Sequence, residues 1–243
     1  MEISEKTWKA YAGKQEEIQE LAARLMREYT ERAGLGSRQD LIAYAYGLAT
    51  KYGEASAALA AELYDLLAEQ AGKILEEAEP AATATYGEVA EAVNGVLEKS
   101  RNEEMISGAV ARLVKLAGAD TMLHNAGRDR AEYAWIPGGD TCAYCIALAS
   151  KGWQRASASK KHAPHIHANC DCTYMIRFDK DTTVTGYDPE AYAEAYYGAD
   201  LDGETPTARN RINALRREQY AENKDKINEQ KRAAYEKRKK DTE

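Results

Sequence analysis

Thr141 to Cys172 reads TCAYCIALASKGWQRASASKKHAPHIHANCDC, and all four cysteines and three of the four histidines of the chain fall within it. Cys142 and Cys145 have Cys-x-x-Cys spacing, and His162, His165, His167, Cys170 and Cys172 follow after a short helical pattern and a polar loop. Tetrahedral zinc needs four thiolate or imidazole ligands at about 2.0–2.3 Å, and short chelating pairs on either side of a loop supply them at small entropic cost. The segment therefore predicts a structural zinc held by Cys142, Cys145, Cys170 and Cys172. His167 is a rival to one of the last two, because His167 and Cys170 stand at i and i+3 while Cys170-x-Cys172 is tighter than the common spacing. Cys142 and Cys145 lie one turn apart at a helix amino end, where the dipole favours thiolates.

Working outward, AEYAWI from Ala131 to Ile136 and TYMIRF from Thr173 to Phe178 read as short strands flanking the segment, and Pro137-Gly138-Gly139 turns the first of them into it. The module thus runs strand, turn, short helix over about 141–151, loop, second ligand pair and strand. Metal binding could contribute on the order of 10–16 kcal/mol to a unit with so little sheet. The polar loop from Gln154 to Lys161 has no apolar pattern and is expected at the surface.

The region before it is helical. Ile18, Leu21, Leu25 and Tyr29 recur at helical spacing until Gly34 and Gly36 end the run. Ser37 with Asp40 opens a second helix through Leu41, Tyr44, Leu48 and Tyr52, with a kink expected at Gly53; the pattern continues through Leu59, Leu63, Leu67, Ile74 and Ala78 to Pro80, predicting a long antiparallel pair. Thr85 with Glu88 and Ser100 with Glu103 are further capping signals, predicting two shorter helices that end near His124, itself read as a structural side chain. After Phe178, residues 179–206 read as an extended connector with a short helix around Glu190 to Tyr197, and residues 207–243 as a solvated helical tail. The fold class is mainly α: an N-terminal helical bundle over 1–128, a small α+β Cys/His zinc-binding module over 129–178, a connector over 179–206 and a long, basic C-terminal helix over 207–243.

Net charge is −7, but residues 207–243 hold 12 Lys plus Arg against 7 Asp plus Glu, so the tail is +5 and the rest −12. Any DNA or acidic partner would meet the tail first. No stretch approaches the roughly 20 apolar residues of a membrane span, and the polar amino terminus does not resemble a secretory signal, so a reducing cytoplasm is the expected site of synthesis and no membrane partner is expected. There, clustered cysteines mean metal or redox chemistry more often than disulfides. A thioredoxin-like dithiol needs a βαβ context that the helical region does not offer. A zinc deaminase needs His-x-Glu, which is missing. A metal-dependent nuclease could use His162, His165 and His167 with Asn169, although no acidic cluster accompanies them in the sequence.

The order Thr141-Cys-Ala-Tyr-Cys-Ile-Ala-Leu-Ala-Ser-Lys-Gly152 followed by His167-Ala-Asn-Cys-Asp-Cys172 resembles the minor head proteins of tailed bacteriophages, the MuF-like or head-morphogenesis family, in its branch from phages of Gram-positive bacteria. Tyr52-Gly-Glu-Ala-Ser-Ala-Ala-Leu-Ala-Ala-Glu-Leu-Tyr64 and Leu123-His-Asn-Ala-Gly-Arg-Asp129 agree with that branch, so the resemblance covers roughly residues 40 to 178. It implies a structural virion protein, made in the host cytoplasm, that associates with portal and capsid proteins in head morphogenesis and DNA delivery. Neither catalysis nor a small-molecule substrate is expected. Trp153 and the lysine- and histidine-rich loop after it depart from the family pattern.

Overall fold

The structure is a computed structural model that describes residues 1–99, 102–138, 143–157, 162–163, 166 and 172–197. Its helices are α1 (Glu5–Ala33), α2 (Arg38–Gln70), α3 (Tyr86–Lys99), α4 (Glu103–Arg128), α5 (Ala143–Ala149) and α6 (Pro189–Tyr197), and its strands β1 (Glu2–Ile3), β2 (Glu132–Ile136), β3 (Gln154–Arg155), β4 (Thr173–Arg177) and β5 (Thr183–Val184). The mainly helical class expected from the apolar periodicity is the class observed.

Helix starts follow the capping chemistry. The Ser4 hydroxyl accepts the Thr7 amide for α1, and Ser37 does the same for the Asp40 amide at α2. Thr85 and Glu88 form a reciprocal box at α3, with the Thr85 amide donating to Glu88 Oε2 at 2.8 Å. At α4 the cap is Asn102 and not Ser100: its side-chain oxygen accepts from the amides of Glu104 and Met105, because the helix starts two residues later than the serine would place it. α4 also runs on through His124 to Arg128, so it is a 26-residue helix and not a short one.

α2 ends earlier than its apolar pattern suggests. Gly72 takes a left-handed φ of 65°, and the Lys73 amide closes back on Ala68 O at 2.9 Å, the signature of a Schellman cap. The chain then crosses to α3 without helix, and Ile74, read as a core position, is fully exposed. Gly53 does not break α2; it is a close-packing position, where an added Cβ would lie 2.9 Å from the Thr83 methyl.

α4 packs along both α1 and α2, and every residue from Ala117 to Ala126 except His124 is buried. A helix buried on nearly all sides is the centre of its domain. Two apolar clusters lie along it. One joins Met26, Leu41, Leu48, Val89, Val93, Ile106 and Val110 between the first four helices. The other joins Trp8, Tyr64, Leu67, Met122 and Ala126 to Trp135, Ile136, Cys145, Leu148, Cys172, Met175 and Ile176, so the strands and α5 share a core with the helices.

β2 pairs antiparallel with β4, Glu132 opposite Arg177 and Ile136 opposite Thr173, as the alternation of the two segments predicts. Two pairings were not anticipated. Gln154–Arg155, expected as surface loop, adds β3 to the other edge of β2, giving the order β3-β2-β4. Thr183–Val184, expected as connector, forms β5 and pairs parallel with β1. Trp8 Nε1 donates to Thr185 O at 3.0 Å beside it. Among the described residues no helix is long and apolar enough to cross a membrane.

Candidate functional site

β2 and β4 bring the two ends of the cysteine segment together. Cys145, in the first turn of α5, and Cys172, one residue before β4, are both 1% exposed and belong to the same apolar cluster. α5 is held from behind by the Tyr187 hydroxyl, which donates to Ala149 O at 2.7 Å, and α6 packs against it. Trp135 on β2 stands edge-on to its cross-strand partner Tyr174 with ring centroids 4.5 Å apart, an aromatic pair that locks β2 to β4 beside Cys172. Cys172 also borders a cavity of about 30 Å³ with Tyr11, Gln15, Lys115 and Thr173. Burial pushes the Tyr11 phenol strongly upward, so it stays protonated, and Gln15 Nε2 donates to its oxygen at 3.1 Å.

Of the expected zinc ligands, Cys145 and Cys172 are thus drawn into one cluster from positions far apart in sequence. Cys142, His167 and Cys170 lie outside the described residues, as do His165 and Asn169 of the nuclease alternative. Among the described residues no group of three or more His, Cys, Asp and Glu side chains has metal-binding geometry.

His162 is placed, and its surroundings were not foreseen. Its Nδ1 lies 2.7 Å from Asp120 Oδ2 on α4, and its Nε2 lies 3.0 Å from Glu88 Oε1 on α3. The second Asp120 oxygen accepts the Ala163 amide. Glu88 works in two directions: one oxygen closes the Thr85 capping box, and the other receives the imidazole. Burial alone would lower the His162 pKa, but hydrogen bonds and charge attraction from Asp120 and then Glu88 outweigh it, and the group is raised above its ordinary value. Asp120 is also raised, because burial outweighs the hydrogen bonds from His162 and Ala163. With each ring nitrogen on a carboxylate, the imidazole is anchored at both ends with its charged form favoured, and neither nitrogen is open to a metal. The acidic partners that the nuclease alternative lacked in the sequence are therefore present, but they are spent on fastening the loop. One signal pointed to them: Asp120 is the single acidic residue between Glu104 and Asp129, set among small and apolar residues of the helix, and a carboxylate buried there needs a partner.

The Leu123–Asp129 segment has a mechanical role. The Asn125 side chain clamps the backbone of Glu79, accepting its amide and donating to its carbonyl, each at 3.0 Å. The Thr121 hydroxyl accepts the Ala81 amide at 2.9 Å, and Arg128 donates to the carbonyls of Glu76 and Glu77. Arg128 also grips both oxygens of Asp129 at 2.8 Å, and Asp129 accepts the Tyr64 hydroxyl at 2.7 Å. Thr121, Asn125 and Arg128 recur along one face of α4, and together they pin the extended crossing between α2 and α3.

A family model, described as VG15 protein, matches residues 2–199. The chain belongs to the VG15 protein family. This family is one of viral gene products, and its match spans the helical body, the strands, the cysteine segment and α6 of this VG15 protein. No significant match was found among curated proteins or among solved structures.

Proposed function

We propose that this VG15 protein is a structural minor head protein of a tailed phage or prophage, of the MuF-like, head-morphogenesis kind, associating with the portal and capsid proteins in head assembly and DNA delivery. The observation that carries a structural over a catalytic reading is the fate of the reactive side chains. Cys145 and Cys172 are turned into an apolar core, and His162 has both ring nitrogens engaged by carboxylates. These groups hold elements together, which is the task of an assembly component. Membership of a viral family and the resemblance of the Thr141–Cys172 segment to minor head proteins support the same reading.

Within it, a structural zinc is held by Cys142, Cys145, Cys170 and Cys172, with His167 as the alternative ligand. Cys145 and Cys172 are both buried in the same apolar cluster, and a zinc held by them would tie α5 to the start of β4. The basic segment over 207–243 is the element offered to DNA or to a scaffold. The test is metal analysis of protein purified without chelator, coupled to co-purification with proheads. One zinc per chain, lost in Cys145→Ser along with prohead incorporation, is the expected result. Metal-free protein with four titratable thiols would remove the zinc, and absence from proheads and virions would remove the head assignment. Deleting residues 207–243 should impair DNA delivery or incorporation; unchanged values for both would refute the role of that segment.

A further inference from the structure

We infer that the cleft of about 520 Å³ where the end of α4 meets the sheet binds the phosphodiester backbone of a nucleic acid. It is lined by Arg130, Arg155, Arg177 and Lys180, with Glu132, Asp179 and Phe178 among the other lining residues. The two acids are neutralised within the protein. Arg177 places Nε and Nη2 on Glu132 Oε2 at 2.9 and 2.7 Å, and Lys73 Nζ holds Asp179 Oδ1 at 2.7 Å. Arg130, Arg155 and Lys180 are exposed, and among the described residues none of their side chains forms an ion pair. In a chain of net charge −7, this leaves three uncommitted cations around one concavity.

The cations come from different elements. Arg155 on the edge strand β3 and Arg177 on β4 flank Glu132 in one register row across the sheet, while Arg130 and Lys180 stand on the turns beyond α4 and β4. Long, exposed side chains around an open cleft suit a chain of repeated charges; a single enclosed anion would call for buried donors.

A second observation concerns Arg130 itself. It closes α4 in the left-handed region, φ 56°, with the Ala131 amide bonded to Ala126 O at 2.8 Å. This is the cap that α2 makes with Gly72, so glycine would fill the position at less strain. An arginine standing where glycine would be less strained, and lining the cleft, is the kind of strained position found where a side chain has a task. This inference stands independently of the portal assignment.

The experiment is fluorescence anisotropy of a 20-base-pair DNA duplex titrated with the full chain between 50 and 200 mM salt. The triple variant Arg130→Ala, Arg155→Ala, Lys180→Ala should bind at least about tenfold more weakly, with a salt slope shallower by about 2 to 3. The control triple Lys9→Ala, Arg24→Ala, Arg32→Ala removes the same charge from exposed positions on α1 and should bind like the wild type. Arg130→Gly alone should raise the unfolding temperature while weakening binding, which separates the role of the side chain from damage to the fold. No binding by the wild-type chain, equal losses in the two triples, or an unchanged affinity in the cleft triple would overturn the inference.

Discussion

Asp120 and His162 show how two titratable residues can fasten a loop to a helix bundle. Asp120 accepts from both the His162 ring and the Ala163 amide, so Asp120→Ala leaves two donors stranded and should cost about 2–3 kcal/mol in denaturant unfolding. The pH dependence follows from both shifts. A histidine whose folded pKa is raised contributes its full stabilisation below the ordinary value of 6.5 and loses it as pH climbs through the raised one. Asp120, raised from 3.8, favours the protonated folded form and acts in the same direction. The attachment of residues 162–163 should therefore weaken as pH rises, the Asp120 contribution fading first, above 3.8, and that of His162 above 6.5. An NMR titration of the His162 ring should give a pKa above 6.5 that falls in Asp120→Asn; a value at or below 6.5 would contradict the double anchor. Gly118 is a residue of the opposite kind, needed for what it lacks. A Cβ there would lie 2.5 Å from Ser56 Oγ and 3.1 Å from Ser56 O, within the Gln15–Ser56 hydrogen-bonded pair that ties α1 to α2. Gly118→Ala should destabilise by about 1–3 kcal/mol despite the higher helix propensity of alanine, measured by thermal unfolding.

At the scale of elements, the crossing from α2 to α3 is held by α4 and not by its own sequence. Asn125 replaces a strand partner for Glu79 and is itself buried, so Asn125→Ala would leave the part-buried Glu79 amide and carbonyl without their partner. The expected cost is about 2–3 kcal/mol, seen as a lower denaturation midpoint at unchanged slope. The same crossing explains where periodicity misled. Leu59, Leu63, Leu67, Ile74 and Ala78 keep helical spacing, but the Gly72 turn comes between them, and side chains of α4 take over the backbone hydrogen bonds beyond it. Local signals were legible wherever the partner was local: the caps at Ser37 and Thr85, the end of α1 before Gly34, and the alternation in β2 and β4. What could not be read was set by residues distant in sequence. β3 and β5 are two residues each and exist only through β2 and β1, and the carboxylates on His162 come from 42 and 74 positions away. At the candidate site, spacing singled out Cys145 and Cys172, while their burial in the apolar cluster that also holds Trp8, Tyr64 and Met122 was not legible.

For the whole molecule, the decisive fact is that the chain closes on its own beginning. β1 pairs with β5, Ile3 at 1% and Val184 at 4% exposure lie in the same core as Cys145 and Cys172, and the Trp8 indole is tethered to Thr185. α6 then covers α5, with Tyr187 bonded to its last turn. α5 and its Cys145 are thereby covered by the 183–197 strap, which is part of the fold and not a spacer beyond it. A chain ending at Phe178 loses β5, the acceptor for Trp8, the Tyr187 bond and α6, exposing Ile3 and one side of α5. It should unfold about 2–4 kcal/mol more easily than a chain ending at Tyr197, which keeps every contact described above. Cys145 and Cys172 should also react faster with a thiol reagent in the shorter chain, since α6 no longer shields α5. Equal unfolding midpoints and equal thiol reactivity in the two chains would mean that the strap rests on the core without sealing it.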